Sequence, residues 1–206
     1  MPSQALGRLN ERLNDVDQLL SAHTAITKFK KAEAAAKKAG GELAKITEII
    51  EALVKDPGKG KPKEVDAINR SAFVLLTAHF QGFVEDLHAE AGGILLSGRV
   101  TDVEAVIKLV KPPRSNPHVE VINKMFSGIG IYELMHEINW QKCANKTVKE
   151  RLKGYLETRN RIAHGKKENI SKQKVTQLKQ FVQLLATKLD EKVCEKATGI
   201  LGNAPW

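Results

Sequence analysis

Scarcity sets the first bounds on this chain of 206 residues. It has two cysteines, Cys143 and Cys194, far apart in sequence and without a C-x-x-C partner. A disulfide scaffold and a cysteine zinc site are both disfavoured, and each thiol reads as an ordinary one in a reducing compartment. Aromatic residues make up only 5%, and β-branched residues never gather into long runs, which argues against a sheet. No stretch approaches the ~18 consecutive apolar residues of a spanning helix, so no membrane role is expected. Met1-Pro2-Ser3-Gln4 does not open a basic-then-apolar leader, and the cytoplasm is the expected compartment.

What is present favours helices around a real core: 42% hydrophobic residues, 28% charged residues and many good helix formers. The net charge of +9 is concentrated. Residues 141–181 hold 12 Lys and Arg against 3 Asp and Glu, while the rest of the chain carries 21 of each sign. A cluster of that kind attracts polyanions, nucleic acid first among them, although a solvated basic face is the plainer alternative.

Apolar spacing predicts an all-α protein. Leu6, Leu9, Leu13, Val16 and Leu20 form one seam, and the Lys/Ala-rich stretch 28–38 continues as helix to Gly40-Gly41. Leu43, Ile46, Ile50 and Leu53 form another seam. Together they predict an N-terminal helical hairpin over 1–57, with Asp56 to Pro62 as linker to a core bundle over 65–206 or as part of one continuous domain. A long helix from Val65 to Leu96, apolar all round at Ala72-Phe73-Val74-Leu75-Leu76, should be central. Short helices are expected at Val103–Val110, Val121–Phe126 and Ile131–Trp140, the last two around Gly128-Ile129-Gly130. Thr147-x-x-Glu150 reads as a capping box for a helix ending at Gly165. Ser171 can cap a last helix with the seam Val175, Leu178, Val182, Leu185 and Leu189, and Thr198–Trp206 reads as a loose tail.

Chemistry concentrates in Arg159-Asn160-Arg161-Ile162-Ala163-His164-Gly165. Leu152, Tyr155, Leu156, Ile162 and Ala163 make an apolar stripe, and Arg159 falls in its centre, where the pattern asks for Leu. A guanidinium against apolar surface is costly unless paired or open to a cleft. Asn160 and His164 share a helix face, whereas Arg159 and His164 point about 140° apart. A distorted helix end, or a second copy of the helix across a dimer interface, would let both reach one phosphate. A helix C-terminus favours a cation, and an imidazole there suits proton exchange. With a fixed guanidinium beside it, this is the minimum equipment for splitting RNA without metal, the ribose 2′-hydroxyl being the nucleophile. The spacing alone is weak, and an Arg paired to a core carboxylate with a His at a helix end explains it equally well.

Arg-Asn-x-x-x-His followed by Gly resembles the signature of the HEPN superfamily of all-helical ribonucleases. Asn69-Arg70-Ser71-Ala72-Phe73-Val74-Leu75-Leu76 through Phe80-Gln81-Gly82-Phe83-Val84-Glu85-Asp86-Leu87 is similar to the central helix of its RiboL-PSP group. Gly128-Ile129-Gly130-Ile131 with Trp140, and Asp15-Val16-Asp17-Gln18-Leu19-Leu20-Ser21-Ala22-His23, resemble other parts of that group. The resemblance implies a HEPN-type helical bundle and a metal-independent endoribonuclease of single-stranded RNA, with no cofactor. It also implies a homodimer with the site at its interface, in a toxin–antitoxin or anti-phage system where an antitoxin protein is a candidate partner. On it, His164 would be the acid/base, Arg159 the phosphate-stabilising residue and Asn160 the orienting residue. Arg161, Lys166 and Lys167 are candidate RNA contacts, with Lys172 and Lys174 in the same basic segment. Many relatives have Glu in the central helix where this chain has Gln81; Glu85 and Asp86, one turn on, are alternative partners for Arg159. A non-catalytic HEPN-fold module binding RNA or protein, and a helical adaptor assembling through the Leu6–Leu20 seam, are the competing readings.

Other patterns fail. His136-Glu137-Ile138-Asn139-Trp140 puts Trp where H-E-x-x-H needs its second ligand, so no metal site is expected. Gly58-Lys59-Gly60-Lys61 lacks the phosphate-loop spacing, and Gly128-x-Gly130 follows no strand. His79 reads as a core histidine, and His23, His88 and His118 carry no partner pattern.

Overall fold

A computed structural model describes residues 1–39, 41, 63–110 and 116–206. Its helices are α1 (Gln4–Ala39), α2 (Lys63–Leu96), α3 (Val103–Val110), α4 (Val119–Ser127), α5 (Asn145–Ala163) and α6 (Lys172–Leu201), with a 3-10 turn at Leu134–His136. The described residues contain no strand, only an isolated bridge between Trp140 and Cys143. The fold is all-α. The second arm of the expected hairpin (Leu43 to Leu53), the expected linker from Asp56 to Pro62 and residues 111–115 lie outside the described residues.

α2 is the shared wall. Ala72, Phe73, Leu76, Phe80, Phe83, Val84, Leu87, Ala91 and Leu95 are buried along it, at spacings that turn apolar surface toward more than one neighbour. α1 packs on it through Ala5, Leu9, Leu13 and Val16, while Leu20 is only half-buried at the edge of the core. α5 and α6 also pack on α2. Ser3 opens α1 by accepting from the Leu6 amide at 3.1 Å. The Gln4 and Ala5 amides donate to the Glu90 carboxylate at 2.9 Å each, placing an anion at the positive end of the helix.

Three expectations are corrected. Thr147 and Glu150 form no capping box: α5 begins earlier, after Ala144, with no side-chain cap. The Asn145 side-chain Nδ2 instead donates to the Met135 and Ile138 carbonyls at 2.8 Å each, because the preceding irregular segment must satisfy its own buried backbone. That segment is no helix over Ile131–Trp140. Glu133 takes φ 52°, leaving one 3-10 turn, while Ile131, Leu134, Met135 and Ile138 are still buried. The tail is not loose: α6 runs to Leu201, Gly202 turns at φ 80°, and Trp206 packs half-buried on the core with its carbonyl 3.6 Å from Cys194 Sγ. Ser171 caps α6 as expected, accepting from the Lys174 amide. No helix among the described residues is long and apolar enough to cross a membrane.

Candidate functional site at the end of helix α5

The last turn of α5 fixes the site. Leu152 and Leu156 are buried and Tyr155 is half-buried, as the stripe predicts. At the end of the helix the stripe turns: Thr158 is buried, Ile162 is half-buried and Ala163 is exposed. Arg159 is half-buried and has no carboxylate partner among the described residues. Its Nη1 donates to Asn160 Oδ1 at 3.2 Å. The same oxygen accepts from Asn116 Nδ2 at 2.8 Å, across from the loop before α4. Two donors on one oxygen set the orientation of the Asn160 amide.

His164 is the exposed C-cap of α5. Gly165 follows at φ 74°, its amide bonded to the Ile162 carbonyl at 3.0 Å and the Lys166 amide to Arg161 at 2.9 Å. These are the paired bonds of a Schellman motif, which needs a left-handed residue where glycine stands. Beyond it, Arg161 Nε donates to Glu168, and Arg161 Nη2 to Thr158 Oγ1 at 3.1 Å. The hydrogen bond from Arg161, aided by the nearby charges of Lys174 and Lys166, holds the Glu168 carboxyl below its ordinary range. The buried Asn69 of α2 donates to the Ile170 carbonyl at 2.9 Å. The loop after His164 is therefore tied at both ends. Lys166 and Lys167 on it are exposed.

Gln81, Glu85 and Asp86 stand apart from Arg159. Asp86 pairs with Arg12 at 3.0 Å and Arg8 at 3.3 Å on α1, and Glu85 accepts from Gln81 at 3.1 Å. The expectation that Asp86 meets Arg159 is corrected, because Arg8 and Arg12 of α1 take its carboxylate. His79 Nε2 lies 3.5 Å from Asp15; burial lowers its pKa, with Asp15 opposing and Arg12 assisting. His88 is buried edge-on against Phe126. No group of three or more His, Cys, Asp or Glu among the described residues is placed to hold a metal.

Asn116, Asn69 and Glu168 escaped sequence reasoning. Asn69 had a signal, a polar residue in the seam Val65-Asn69-Ala72-Leu76. Asn116 had none, since its contact to Asn160 spans 44 residues of chain.

The sequence profile of the RiboL-PSP-HEPN family matches residues 42–195. The chain belongs to the RiboL-PSP-HEPN family. The match takes in α2, the motif helix α5 and most of α6, so the family's region holds every site residue named above. It starts beyond α1, whose first half nevertheless packs on the HEPN core. No curated protein and no solved structure matches the chain.

Proposed function

We propose that this HEPN chain is a metal-independent endoribonuclease acting on single-stranded RNA. The observation that carries the reading is the Asn116–Asn160–Arg159 chain of hydrogen bonds, one turn from an exposed imidazole on a glycine-locked helix end. In the proposed reaction His164 takes the proton of the ribose 2′-hydroxyl or returns one to the leaving 5′-oxygen. The 2′-oxygen bonds to phosphorus as the P–O5′ bond breaks, leaving a cyclic phosphate and a 5′-hydroxyl. Arg159 stabilises the charge on the phosphoryl oxygens, and Asn160 orients it. Exposed Lys166 and Lys167, with the outer donors of Arg161, bind flanking phosphates.

One chain is half of this site. Arg159 and His164 diverge on α5, and beside Ile162 the outer face of α2 presents Ala67, Ser71, Val74, Leu75 and Ala78 around an open groove of about 600 Å³. Ala67, Ser71 and Ala78 are small and leave room for a second α2 beside Val74 and Leu75, with Arg70 lining the same groove, and a two-fold pairing would bring two α5 ends together. The setting this fits is the effector of a toxin–antitoxin or anti-phage system, held in check by an antitoxin protein.

The test is cleavage of a single-stranded RNA in EDTA. The parent should cut, and His164→Ala and Arg159→Ala should each lose at least ~100-fold while keeping the parent's circular dichroism. Chelation abolishing cleavage would falsify the metal-free mechanism. Undiminished RNA binding with no cleavage by the parent would point to the non-catalytic module.

A further inference from the structure

A second feature of the basic segment lies up-chain of the motif. α5 and α6 meet through side chains rather than backbone. Tyr155 packs on Phe181 at 5.2 Å between ring centroids, Trp140 on Phe181 at 5.8 Å, and Tyr155 on Phe73 of α2 at 6.1 Å. Between the two helices opens a pocket of about 380 Å³, lined by Trp140, Arg151, Tyr155, Gln177, Gln180 and Phe181. Leu184, 46% exposed, stands at its rim. Phe181 is buried, while Trp140 and Tyr155 each keep part of a ring accessible. Burial pushes the Tyr155 phenol up, with the nearby Arg151 charge opposing it.

This is not the composition of a core edge. Aromatic rings are joined by two exposed amides and an exposed guanidinium, in a volume within the range of small-ligand sites. Ring faces take the flat face of a base, amides read its edge in both donor and acceptor senses, and guanidinium takes a phosphate or stacks. Trp140 is presented at some cost. The turn Trp140–Cys143 is closed by Cys143 N to Trp140 O at 2.9 Å and Trp140 N to Cys143 O at 3.2 Å, with Lys142 at φ 64°. A lysine in the left-handed region is strained, and such strain gathers where a side chain must be aimed.

The pocket is also in register with the motif. Arg151, Tyr155 and Arg159 follow each other every fourth residue on α5, each step about 6 Å along the axis with about 40° of rotation. On α6, Lys174, Gln177 and Phe181 make the matching row, and Lys174 Nζ lies 5.8 Å from the Phe73 ring centroid. A basic, aromatic-floored track thus leads from the pocket to Arg159. We propose that the pocket is a nucleobase subsite, stacking one base of a single-stranded RNA whose backbone follows this track to the end of α5. The identity of the strand rests on the ribonuclease reading; the pocket's chemistry does not.

The experiment titrates a short single-stranded 2′-O-methyl oligonucleotide, which lacks the nucleophile, into the chain carrying Trp206→Phe, so that emission reports Trp140. Quenching on binding is expected. Tyr155→Leu should weaken binding about tenfold, and the surface changes Arg151→Ala and Gln177→Ala/Gln180→Ala several-fold, at constant salt and unchanged circular dichroism. The same oligonucleotide made abasic should bind the parent as weakly as the normal one binds Tyr155→Leu, and should not distinguish the variants. Equal binding of normal and abasic strands, or surface variants equal to the parent, overturns the subsite. If those variants bind normally while the parent cleaves RNA, the subsite falls and the enzyme stands. If the subsite behaves as stated and no RNA is cut, the enzyme reading falls alone.

Discussion

Gly165 carries a conformational burden and no packing one. An added Cβ would meet no atom within 4 Å, yet the residue sits at φ 74°. Gly165→Ala should therefore cost about 1 kcal/mol of stability, read by urea denaturation. Because His164 immediately precedes that turn, cleavage should fall by far more than the stability loss explains. Asn116 tests the opposite case, a polar contact with little packing. Asn116→Ala removes one of the two donors on Asn160 Oδ1, leaving Arg159 to hold the amide alone. The expected outcome is a roughly tenfold lower rate with less than about 1 kcal/mol of destabilisation, since the pair is only partly buried. A rate equal to the parent's would show that Asn160 needs no outside support.

At the scale of elements, legibility followed periodicity. α2 and the α6 seam could be read because their apolar residues recur at helical spacing over many turns. Helix starts were legible only where a side chain was free to cap. Ser171 caps α6 because nothing else claims its hydroxyl, whereas α5 takes its start from Asn145, whose amide serves carbonyls seven and ten residues back. The segment 131–143 was illegible for a related reason: its buried residues mimic a helix while its backbone is held by the side chains of Asn123 and Asn145. Of the site, Arg159, Asn160 and His164 were visible as a motif, but Asn116 enters only through tertiary structure. The irregular segment is also clamped to α6. Glu137 bonds Lys196 at 2.6 Å and lies 3.2 Å from Lys192, and these two ammonium groups hold its carboxyl below its ordinary 4.5. A depressed carboxyl contributes stability above its unfolded value and loses it as pH falls through the folded one. Glu137→Gln should therefore lower the melting temperature at pH 7 and flatten its decline below about pH 4.5, so that variant and parent converge in acid, as followed by thermal melts.

For the whole molecule, the proposed function makes pairing of two chains the property to test. Ala78→Arg adds a charge to the exposed stripe of α2, in the groove that Ile162 also lines. It should leave the monomer folded, shift light-scattering mass from dimer to monomer, and reduce cleavage in parallel. A monomeric variant that cleaves at the parent's rate would place the whole site within one chain. The His79–Asp15 contact between α1 and α2 gives the body a pH response of its own. Burial lowers the His79 pKa from 6.5, so the unfolded chain binds the extra proton first and stability declines as pH falls below 6.5. His79→Gln should remove that slope in urea titrations between pH 5 and pH 7.

The charge pattern has a last consequence, for how the molecule travels. All of the excess cation lies in the Trp140 turn, α5, the loop after His164 and the start of α6, and the other residues balance to zero. A charge so concentrated along the sequence makes this segment the part of the chain a polyanion attracts most. On the proposed function, the field of a polyanion would turn the molecule before contact and present the motif segment to the strand first. Collisions become productive by orientation, and that advantage should fade once added salt brings the screening length below about 10 Å.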